Sequence, residues 1–367
     1  MASKQPPQPL TLSMIVKNES HVIERCLASV RPFITSWVIV DTGSTDGTQE
    51  IIRKFMGELP GTVHERPWRD FATNRNEAIE LSREYGDYLL VIDADDTLEA
   101  ANGFTLPRLT ADAYQLLIRD GNTNYWRTQI FRSSLDYHYE GVLHEVLMSA
   151  EPRTDKRLDG LAYRRRVEGA RTADPHKYRK DAAILERALA ENPTNARYAF
   201  YLAQSWRDAG EPAKARDAYR VRAAMGGWEE EVWYAKLEVA KLSAALGEPE
   251  EQVIAAYLSA FEARPSRAES LCNLATYLRN QNRVVAGYPF ARAAVEIPRP
   301  ADRLFIDDSV YAWRARDELA VSAYWAGRHE EALKANQQLL ATPQLPAGER
   351  ERIQKNLGFC KQKLGRG

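Results

Sequence analysis

Three carboxylates stand together after an apolar run in the first third of the chain. Asp93, Asp95 and Asp96 come directly after the run YLLVI at residues 88–92. Neighbouring like charges repel, and burying an unpaired carboxylate is costly, so a positive charge is expected among them. Asp93 and Asp95 can place oxygens around one hard cation, Mg²⁺ or Mn²⁺, and that cation would also bind a diphosphate. The alternative is a solvated acidic loop, since an Asp-x-Asp triplet also occurs by chance.

Asp41 ends a second apolar run, WVIV at residues 37–40, and the turn-forming sequence TGSTDGT follows it. Asp is common in turns, so one interpretation of Asp41 is a turn residue. Asp46 is the better candidate to cap the next helix, which leaves Asp41 available as a hydrogen-bond acceptor. We therefore favour a role for Asp41 in binding the N–H of a nucleobase.

Arg75 stands between two asparagines in DFATNRNEA, a segment with a helical pattern at residues 70–78. The planar fork of an arginine suits a phosphate or a ribose. The alternative is a solvated helical face with an Arg–Glu pair. Because the segment lies between Asp41 and the acidic loop in the chain, we favour nucleotide binding by Arg75.

His144 and Glu145 are adjacent in YEGVLHEVL, residues 139–147. In a strand they would point to opposite faces, whereas in a loop both could face one site. There His144 could be a third metal ligand beside Asp93 and Asp95, and Glu145 a general base on an acceptor hydroxyl. The alternative is a surface His–Glu pair at a strand edge.

Short apolar runs alternate with helical patterns in the first half, and these elements must position the residues above. Strands are predicted at residues 11–16, 37–40, 61–66 and 87–92. Helices between consecutive strands imply βαβ units and a mostly parallel sheet, in which ligands bind beyond the carboxyl ends of the strands. Lys17, Asn18 and Glu19 follow the first strand, so we expect them at the same edge as Asp41 and the acidic loop.

The chain becomes helical throughout from about residue 175. The tripeptide GEP occurs at residues 210–212 and again at 247–249, and Pro and Gly stand at helix boundaries. Helix pairs with a period near 34 residues resemble tetratricopeptide repeats, which leave a concave face for an extended ligand. We expect roughly four units, with the segment EIPRPADRLFIDDSVYAW, residues 296–313, as an insertion between two of them.

Composition excludes several classes of protein. The chain has 367 residues and a formal net charge of -1, which gives no general reason to expect nucleic acid as a partner. The run RRR at residues 164–166 is too short for a nucleic-acid patch and is expected in a linker. The three cysteines form no CxxC pair, which argues against a disulfide framework and a thiolate zinc site.

The N-terminus lacks the features of a signal peptide, and no apolar run is long enough to span a membrane, so a cytoplasmic, soluble protein is expected. The glycine-rich dinucleotide motif, the P-loop, G-x-S-x-G and H-E-x-x-H are all absent from the sequence. Dinucleotide redox, P-loop hydrolysis, serine esterase and zincin chemistry therefore lose their main support.

Four blocks together resemble a family 2 glycosyltransferase of the GT-A fold, over about residues 10–150. They are LSMIVKNES, VIVDTGSTDGT, DFATNRNEA and YLLVIDADD, and YEGVLHEVL follows more weakly. The resemblance implies an inverting transfer from a nucleoside-diphosphate sugar, with Mg²⁺ or Mn²⁺ on the diphosphate. It implies that Asp41 contacts the base, usually uracil, and that Arg75 binds the nucleotide. It also implies that Asp93 lies near the ribose and metal and that Asp95 ligates the metal.

The arrangement of an α/β GT-A domain, predicted at residues 8–165, and a tetratricopeptide-like domain, predicted at 175–365, is similar to that of bacterial peptide S-glycosyltransferases. The leading hypothesis is therefore a metal-dependent transfer from a UDP-sugar to a peptide or protein held by the repeats. A second hypothesis is transfer to a glycan or lipid-linked saccharide, with the repeats used for homodimer formation or recruitment. A third is a non-catalytic repeat scaffold.

Overall fold

The computed structural model describes residues 8–120, 123–151, 153–166, 168–171 and 174–366. The chain divides into two compact units, Met1–Lys180 and Asp181–Gly367. No helix in the described part of the chain combines the length and the apolar content needed to cross a membrane.

The first unit is built on a mixed sheet with helices on its faces. Its strands are β1 (Leu10–Val16), β2 (Ser36–Asp41), β3 (Gly61–Glu65), β4 (Tyr88–Val91), β5 (Thr97–Ala100), β6 (Ala113–Asp120), β7 (Thr123–Arg132), β8 (His138–Glu140), β9 (Val146–Met148) and β10 (Asp155–Arg164). Its helices are α1 (Ile23–Val30), α2 (Thr48–Met56) and α3 (Phe71–Ser82). In the described residues, eight strands form one sheet in the order β3-β2-β1-β4-β7-β6-β10-β5, and β8 pairs with β9.

The strands β3, β2, β1 and β4 are mutually parallel, as the alternation of strands and helices predicts. Their carboxyl ends therefore lie at the same edge of the sheet. From β4 onward the pairing is antiparallel, except between β6 and β10, so the sheet is mixed. The predicted α/β class is confirmed, and the antiparallel half follows from strands that the apolar alternation does not reveal.

The central strands are buried on both faces, which explains their nearly continuous apolar sequences. Every residue of β2 is buried, including Ser36 and Asp41 at its ends. The hydroxyls of Thr11 and Ser36 satisfy one another across β1 and β2 at 2.8 Å. Two buried polar side chains are thereby accommodated at little cost.

Helix α1 covers one face of the sheet through an apolar stripe. Ile23, Cys26, Leu27 and Val30 recur at helical spacing and are all buried. Full burial of an aliphatic side chain of this size contributes about 1.5–3 kcal/mol to folding. The first helical residue is Ile23, and the Glu19 carbonyl accepts the N–H groups of both Val22 and Ile23 in a turn that precedes the helix.

The second unit consists of consecutive antiparallel helices. Their bounds are α4 (Lys177–Glu191), α5 (Ala196–Asp208), α6 (Pro212–Ala224), α7 (Glu229–Ala245), α8 (Glu250–Ala263), α9 (Glu269–Asn280), α10 (Val284–Glu296), α11 (Ala315–Trp325), α12 (His329–Ala341) and α13 (Ala347–Lys363). A π-helical turn, Val310–Arg314, precedes α11.

The helix pairs α5–α6, α7–α8, α9–α10 and α11–α12 share one turn geometry. Each turn contains one residue with a left-handed backbone. In chain order these residues are Gly210, Gly247, Asn282 and Gly327. The N–H of the following residue returns to the carbonyl five positions earlier, as when Glu211 N–H donates to the Trp206 carbonyl at 2.9 Å. The last interval between these turns is about ten residues longer than the first two. The predicted insertion accounts for that excess.

Candidate active site

The loops that follow β1 and β2 are tied together at the carboxyl edge of the sheet. Asn18, at φ +56°, donates its N–H to Ser44 Oγ at 2.9 Å, and its Oδ1 accepts the Thr45 N–H at 2.9 Å. The N–H of Glu19 donates to Thr48 Oγ1 at 2.9 Å. Asn tolerates this left-handed backbone better than most residues do. The loops therefore form one structure at the edge, whereas the neighbouring Lys17 is exposed to solvent.

Asp41 is the last residue of β2 and is fully buried. Its carboxylate accepts the Ser44 N–H at 3.1 Å and the Ser44 hydroxyl at 2.5 Å, and it also accepts the Gln49 side-chain amide. A cavity of about 340 Å³ is lined by Asp41, Gly43, Ser44, Gln49, Glu65, Arg66 and Pro67. Because water does not reach the Asp41 side chain, a ligand in this cavity meets Ser44 and Gln49 before it meets Asp41.

Arg75 connects two carboxylates from different elements. One of its terminal nitrogens lies 2.5 Å from Asp93 Oδ1, and its Nε lies 2.7 Å from Glu145 Oε1. Its guanidinium also lies over the ring of Tyr139, 5.4 Å from the centroid. Burial opposes the charge of Arg75, but the two carboxylates raise its pKa above the ordinary value. The structure thus brings Glu145 and the acidic loop to one guanidinium.

The two asparagines that flank Arg75 have structural contacts. Asn76 Nδ2 donates to the Tyr139 carbonyl at 2.9 Å, and Asn76 Oδ1 accepts the Tyr139 N–H at 2.7 Å. This pair of bonds fastens β8 to α3 and so positions the loop that carries Glu145. Asn74 is buried and accepts the Arg69 N–H at 3.0 Å, which fixes the chain before α3. Of Asn74, Arg75 and Asn76, only Arg75 therefore faces the acidic loop.

The carboxylates of the acidic loop occupy different surroundings. Burial raises the pKa of Asp93, but Arg75 and Arg127 outweigh it, and the net pKa is lowered. Asp95 accepts the Gly169 N–H at 2.9 Å, and burial together with the charge of Asp93 raises its pKa.

Asp96 is almost fully buried and accepts the Tyr163 hydroxyl and the Arg166 N–H, each at 2.6 Å. Burial and the charge of Asp93 raise the pKa of Asp96 to about 7. Asp96 therefore holds the loop in place, while Asp93 and Asp95 face the site.

The segment 168–171 is a part of the site that sequence reasoning missed. The Glu168 and Gly169 N–H groups donate to Asp95 Oδ2, and the Ala170 N–H donates to the Glu19 carboxylate at 3.3 Å. Burial and the charge of Asp95 raise the pKa of Glu19 to about 7. A Cβ at position 169 would stand 3.0 Å from Asp95 Oδ2, so the residue there must be small. The glycine is the one sign of this contact in the sequence.

The run RRR at residues 164–166 is not a linker. Arg164 ends β10 and pairs with Glu99, and Arg165 pairs with Asp120 at 2.8 Å. A run of charged residues is usually solvated, whereas here Arg164 and Arg165 neutralise carboxylates of neighbouring strands.

His144 does not join a metal-ligand group. It lies exposed in the loop between β8 and β9 at φ +53°. Within the described ranges, no three His, Cys, Asp or Glu side chains are placed so as to hold a metal ion. The set of Asp93, Asp95 and His144 is therefore not assembled, because the loop turns Glu145, and not His144, towards Arg75.

The oxygen ligands that are present do fit one kind of cation. Asp95 carries a raised pKa because it is partly buried beside Asp93, and a bound cation would relieve that repulsion. Mg²⁺ usually takes one or two carboxylates and completes its shell with phosphate oxygens and water. Asp93 and Asp95 suit a cation such as Mg²⁺ that takes most of its ligands from phosphate and water. They do not suit a cation that is enclosed by protein side chains.

Comparison with known proteins bears on the same edge of the sheet. Residues 11–102 match the model of the family described as "Glycosyl transferase family 2". The first unit carries a family 2 glycosyltransferase domain. The match includes Asp41, Arg75, Asp93 and Asp95, whereas Glu145 lies beyond its end.

Three curated proteins are similar to parts of the chain. The TPR repeat-containing protein Synpcc7942_0270 of Synechococcus elongatus is 32% identical over 147 residues, which cover 38% of this chain and 35% of that protein. The lipopolysaccharide core biosynthesis glycosyltransferase LpsC of Rhizobium meliloti is 31% identical over 113 residues, 30% of this chain and 41% of that one. The glycosyltransferase SunS of Bacillus subtilis is 32% identical over 94 residues, which cover 25% of this chain and 21% of that protein. The chain therefore spans well under half the length of these relatives.

Two solved structures are similar to parts of the chain at low TM-scores. Staphylococcus aureus TarS, in complex with UDP-GlcNAc, has a TM-score of 0.34 at 15% identity over 66% of this chain and 93% of that one. MamA has a TM-score of 0.35 at 12% identity over 51% of this chain and 92% of that one.

Proposed function

We propose that this protein is an inverting, metal-dependent glycosyltransferase that moves a sugar from a UDP-sugar to a peptide or protein acceptor. The observation that carries the proposal is the convergence of Asp41, Arg75, Asp93 and Asp95 at the carboxyl edge of a family 2 glycosyltransferase domain. That edge is where open α/β sheets bind nucleotides.

The nucleobase is assigned to the cavity of about 340 Å³ beside Asp41. Asp41 would accept a base N–H once the Gln49 amide moves aside, or it would orient Gln49 and Ser44 as the direct contacts. Lys17 is exposed at the same edge and is available to a phosphate, while Asn18 and Glu19 hold the loops that line it.

The diphosphate is assigned to the space beside the acidic loop. A divalent ion held by Asp95 and Asp93 would neutralise the charge that develops on the departing diphosphate. Arg75 would contribute a second positive charge there, since its guanidinium already reaches Asp93. Both charges would act where negative charge grows during the reaction.

Glu145 is assigned as the general base. It would take the proton of the acceptor nucleophile while that nucleophile forms a bond to the sugar carbon and the bond to the diphosphate oxygen breaks. Arg75 Nε lies 2.7 Å from Glu145 Oε1 and so occupies that oxygen. We expect the oxygen to become free for the acceptor when Arg75 turns from it towards the diphosphate of a bound donor.

A peptide acceptor is supported by the helix pairs of the second unit, since such stacks bind extended ligands. A glycan acceptor is the second candidate. It is favoured by the similarity of the family 2 domain to LpsC, whose name assigns it to lipopolysaccharide core biosynthesis.

The first experiment is calorimetric titration of UDP into the protein with Mn²⁺ and with EDTA. We expect binding that needs Mn²⁺ and is lost in Asp95→Ala, while Asp159→Ala, an exposed carboxylate on β10, binds as the wild type does. A screen of UDP-sugars for hydrolysis, and then for transfer to a peptide library and to lipid-linked saccharides, separates the two acceptors. Absence of binding to UDP and to GDP, with or without metal, would refute the proposed glycosyltransferase activity and favour a non-catalytic scaffold.

A further inference from the structure

The insertion within the repeats is anchored at its centre by charged side chains. Asp302 is bound by Arg264 at 2.6 Å and by Arg267 at 3.2 Å. The Leu304 N–H donates to Glu230 Oε2 at 2.8 Å, and the Leu304 carbonyl accepts Arg267 at 3.0 Å. Arg267 is fully buried, so these bonds hold in a protected environment. The insertion is thus a built part of the second unit.

The ends of the insertion are also fixed. Arg299 Nε binds Asp308 Oδ1 at 2.6 Å, which closes the segment on itself. The π-helical turn Val310–Arg314 follows at once, and π-turns inside helices often occur at functional sites. The hydroxyl of Tyr311 in this turn donates to Glu269 at 2.6 Å. The turn is therefore held against α9 in a defined orientation.

A cleft opens between the insertion and the C-terminal end of α12, and we refer to it as the insertion cleft. Its volume is about 870 Å³, within the usual range of ligand sites. Its lining includes the side chains of Arg299, Tyr311, Arg316, Gln338 and Thr342. Regular helix pairs would not form it, since the insertion and the π-turn supply one of its walls.

Arg316 is the unsatisfied group of the insertion cleft. Its neighbours are all paired: Arg314 with Asp307 at 2.7 Å, Asp317 with Arg352 at 2.9 Å, and Glu318 with Arg279 at 2.9 Å. Among the residues that the structure describes, none forms an ion pair with Arg316, and its Nε is inaccessible to water and lacks a hydrogen-bond partner. The shielded Nε cannot be reached by a ligand, but Arg316 also lines the cleft and no described carboxylate offsets its charge, so an anionic ligand group is expected at its terminal nitrogens.

We propose that the insertion cleft binds an extended acidic peptide segment, with an Asp or Glu carboxylate on Arg316. The guanidinium fork matches a carboxylate in two parallel hydrogen bonds. The charge of Arg299 is offset by Asp308, so the positive charge of the cleft is concentrated at Arg316. Gln338 and Thr342 offer amide and hydroxyl groups to a peptide backbone. The proposal concerns binding alone and does not depend on sugar transfer.

The test is selection of peptides from a phage-displayed library of random dodecapeptides on the full-length protein. We expect enrichment of Asp and Glu among the selected peptides. The tightest of them is then labelled with fluorescein and titrated by anisotropy. Arg316→Gln should weaken its binding about tenfold or more, since hydrogen bonds to charged groups are among the strongest in proteins. Ala341→Trp, at an exposed position in the wall of the cleft, should block binding by filling it.

Arg292→Gln is the matched control, because it removes the same charge from an exposed site on α10 outside the cleft. It should bind the peptide within twofold of the wild type. Circular dichroism and thermal melting establish that each variant is folded. The proposal is overturned if the selected peptides are not enriched in Asp and Glu, or if Arg316→Gln and Ala341→Trp bind them as tightly as Arg292→Gln does.

Discussion

At the scale of single residues, the candidate active site depends on side chains whose partners come from distant parts of the chain. Arg75 is the central one, because it pairs with Asp93 from the loop after β4 and with Glu145 from the loop after β8. Arg75 and Glu145 are both mostly buried, and the side chain of each is 12% exposed. Removing one partner of a buried pair leaves an uncompensated charge, which is more costly than the pair itself is stabilising.

Arg75→Met should therefore destabilise the first unit by about 3 kcal/mol, through the two carboxylates left behind. Adding Glu145→Gln to that variant should recover part of the loss, because the mostly buried charge of Glu145 is then removed. Urea unfolding of the wild type, both single variants and the double variant measures this coupling.

Arg31→Met is the control for that cycle. Arg31 pairs with Glu58, whose side chain is 86% exposed, and such surface pairs contribute about 1 kcal/mol or less. Equal losses in Arg75→Met and Arg31→Met would show that the bridge between α3 and the two loops does not exist in solution.

Asp41, Asp93 and Asp95 were predicted as site residues because they follow buried strands, and Arg75 because its segment lies between them in the chain. The structure brings Arg75 to Asp93, as this prediction requires, whereas one neighbouring segment was not predicted. Segment 168–171 was missed because it contributes backbone N–H groups, and every residue but proline carries one. In the described residues His144 does not come together with Asp93 and Asp95, since the direction of a loop side chain is not encoded in residue spacing.

At the scale of elements, close contacts between helices decide what a small residue does. Gly287 lies buried in α10, where an added Cβ would meet the Ala275 carbonyl oxygen of α9 at 3.3 Å. Gly358 lies in α13 and is exposed, with nothing within 4 Å of an added Cβ. Both backbones are helical, so the two positions differ only in their surroundings.

The same substitution should therefore have opposite effects at these two sites. Gly358→Ala should stabilise the second unit by about 0.5–1 kcal/mol, since alanine loses less conformational entropy in a helix. Gly287→Ala should destabilise it by about 1 kcal/mol, since the crowded atoms belong to the backbone of α9 and have little room to move. Thermal unfolding of the two variants beside the wild type measures the difference. A stabilising effect at both positions would show that α9 and α10 pack less closely than described.

Element types were more predictable than their partners. Apolar alternation and helical spacing were sufficient for β1 to β4, for α1 to α3 and for the helical second unit. Strands β6, β7 and β10 were not predicted. β7 follows β6 directly in the chain and pairs with it, whereas β10 pairs with β6 from a more distant part of the chain. The insertion was recognised by its length, while its anchoring by Arg264 and Arg267 could not be read from spacing.

At the scale of the whole molecule, two compact units carry two different candidate sites. The first has the cavity beside Asp41 and the acidic loop, and the second has the insertion cleft. A ligand stabilises the structure that binds it, by about 2.7 kcal/mol at a hundredfold excess over its Kd. Each ligand should thus leave a distinct pattern of protection.

Hydrogen exchange measured by mass spectrometry can locate these patterns. UDP with Mn²⁺ should slow exchange in residues 17–49 and 93–97 of the first unit, because the loops there would close on the nucleotide. An acidic peptide selected as above should slow exchange in residues 299–316 and 338–344. Protection of the first unit by the peptide, with none in the second, would contradict the assignment of the two sites.

The sequence by itself determined the division into an α/β half and a helical half, because periods of two and of 3.6 residues are local properties of the chain. It also determined which residues were chemically unusual, since carboxylates directly after buried strands need an explanation wherever they occur. Only the tertiary structure decided that Arg75 joins Asp93 to Glu145, that backbone N–H groups of segment 168–171 reach Asp95, and that no residue in the described ranges accepts a hydrogen bond from Arg316 Nε. The physical reason is that these contacts depend on distances between atoms far apart in the chain, which packing sets and residue spacing does not.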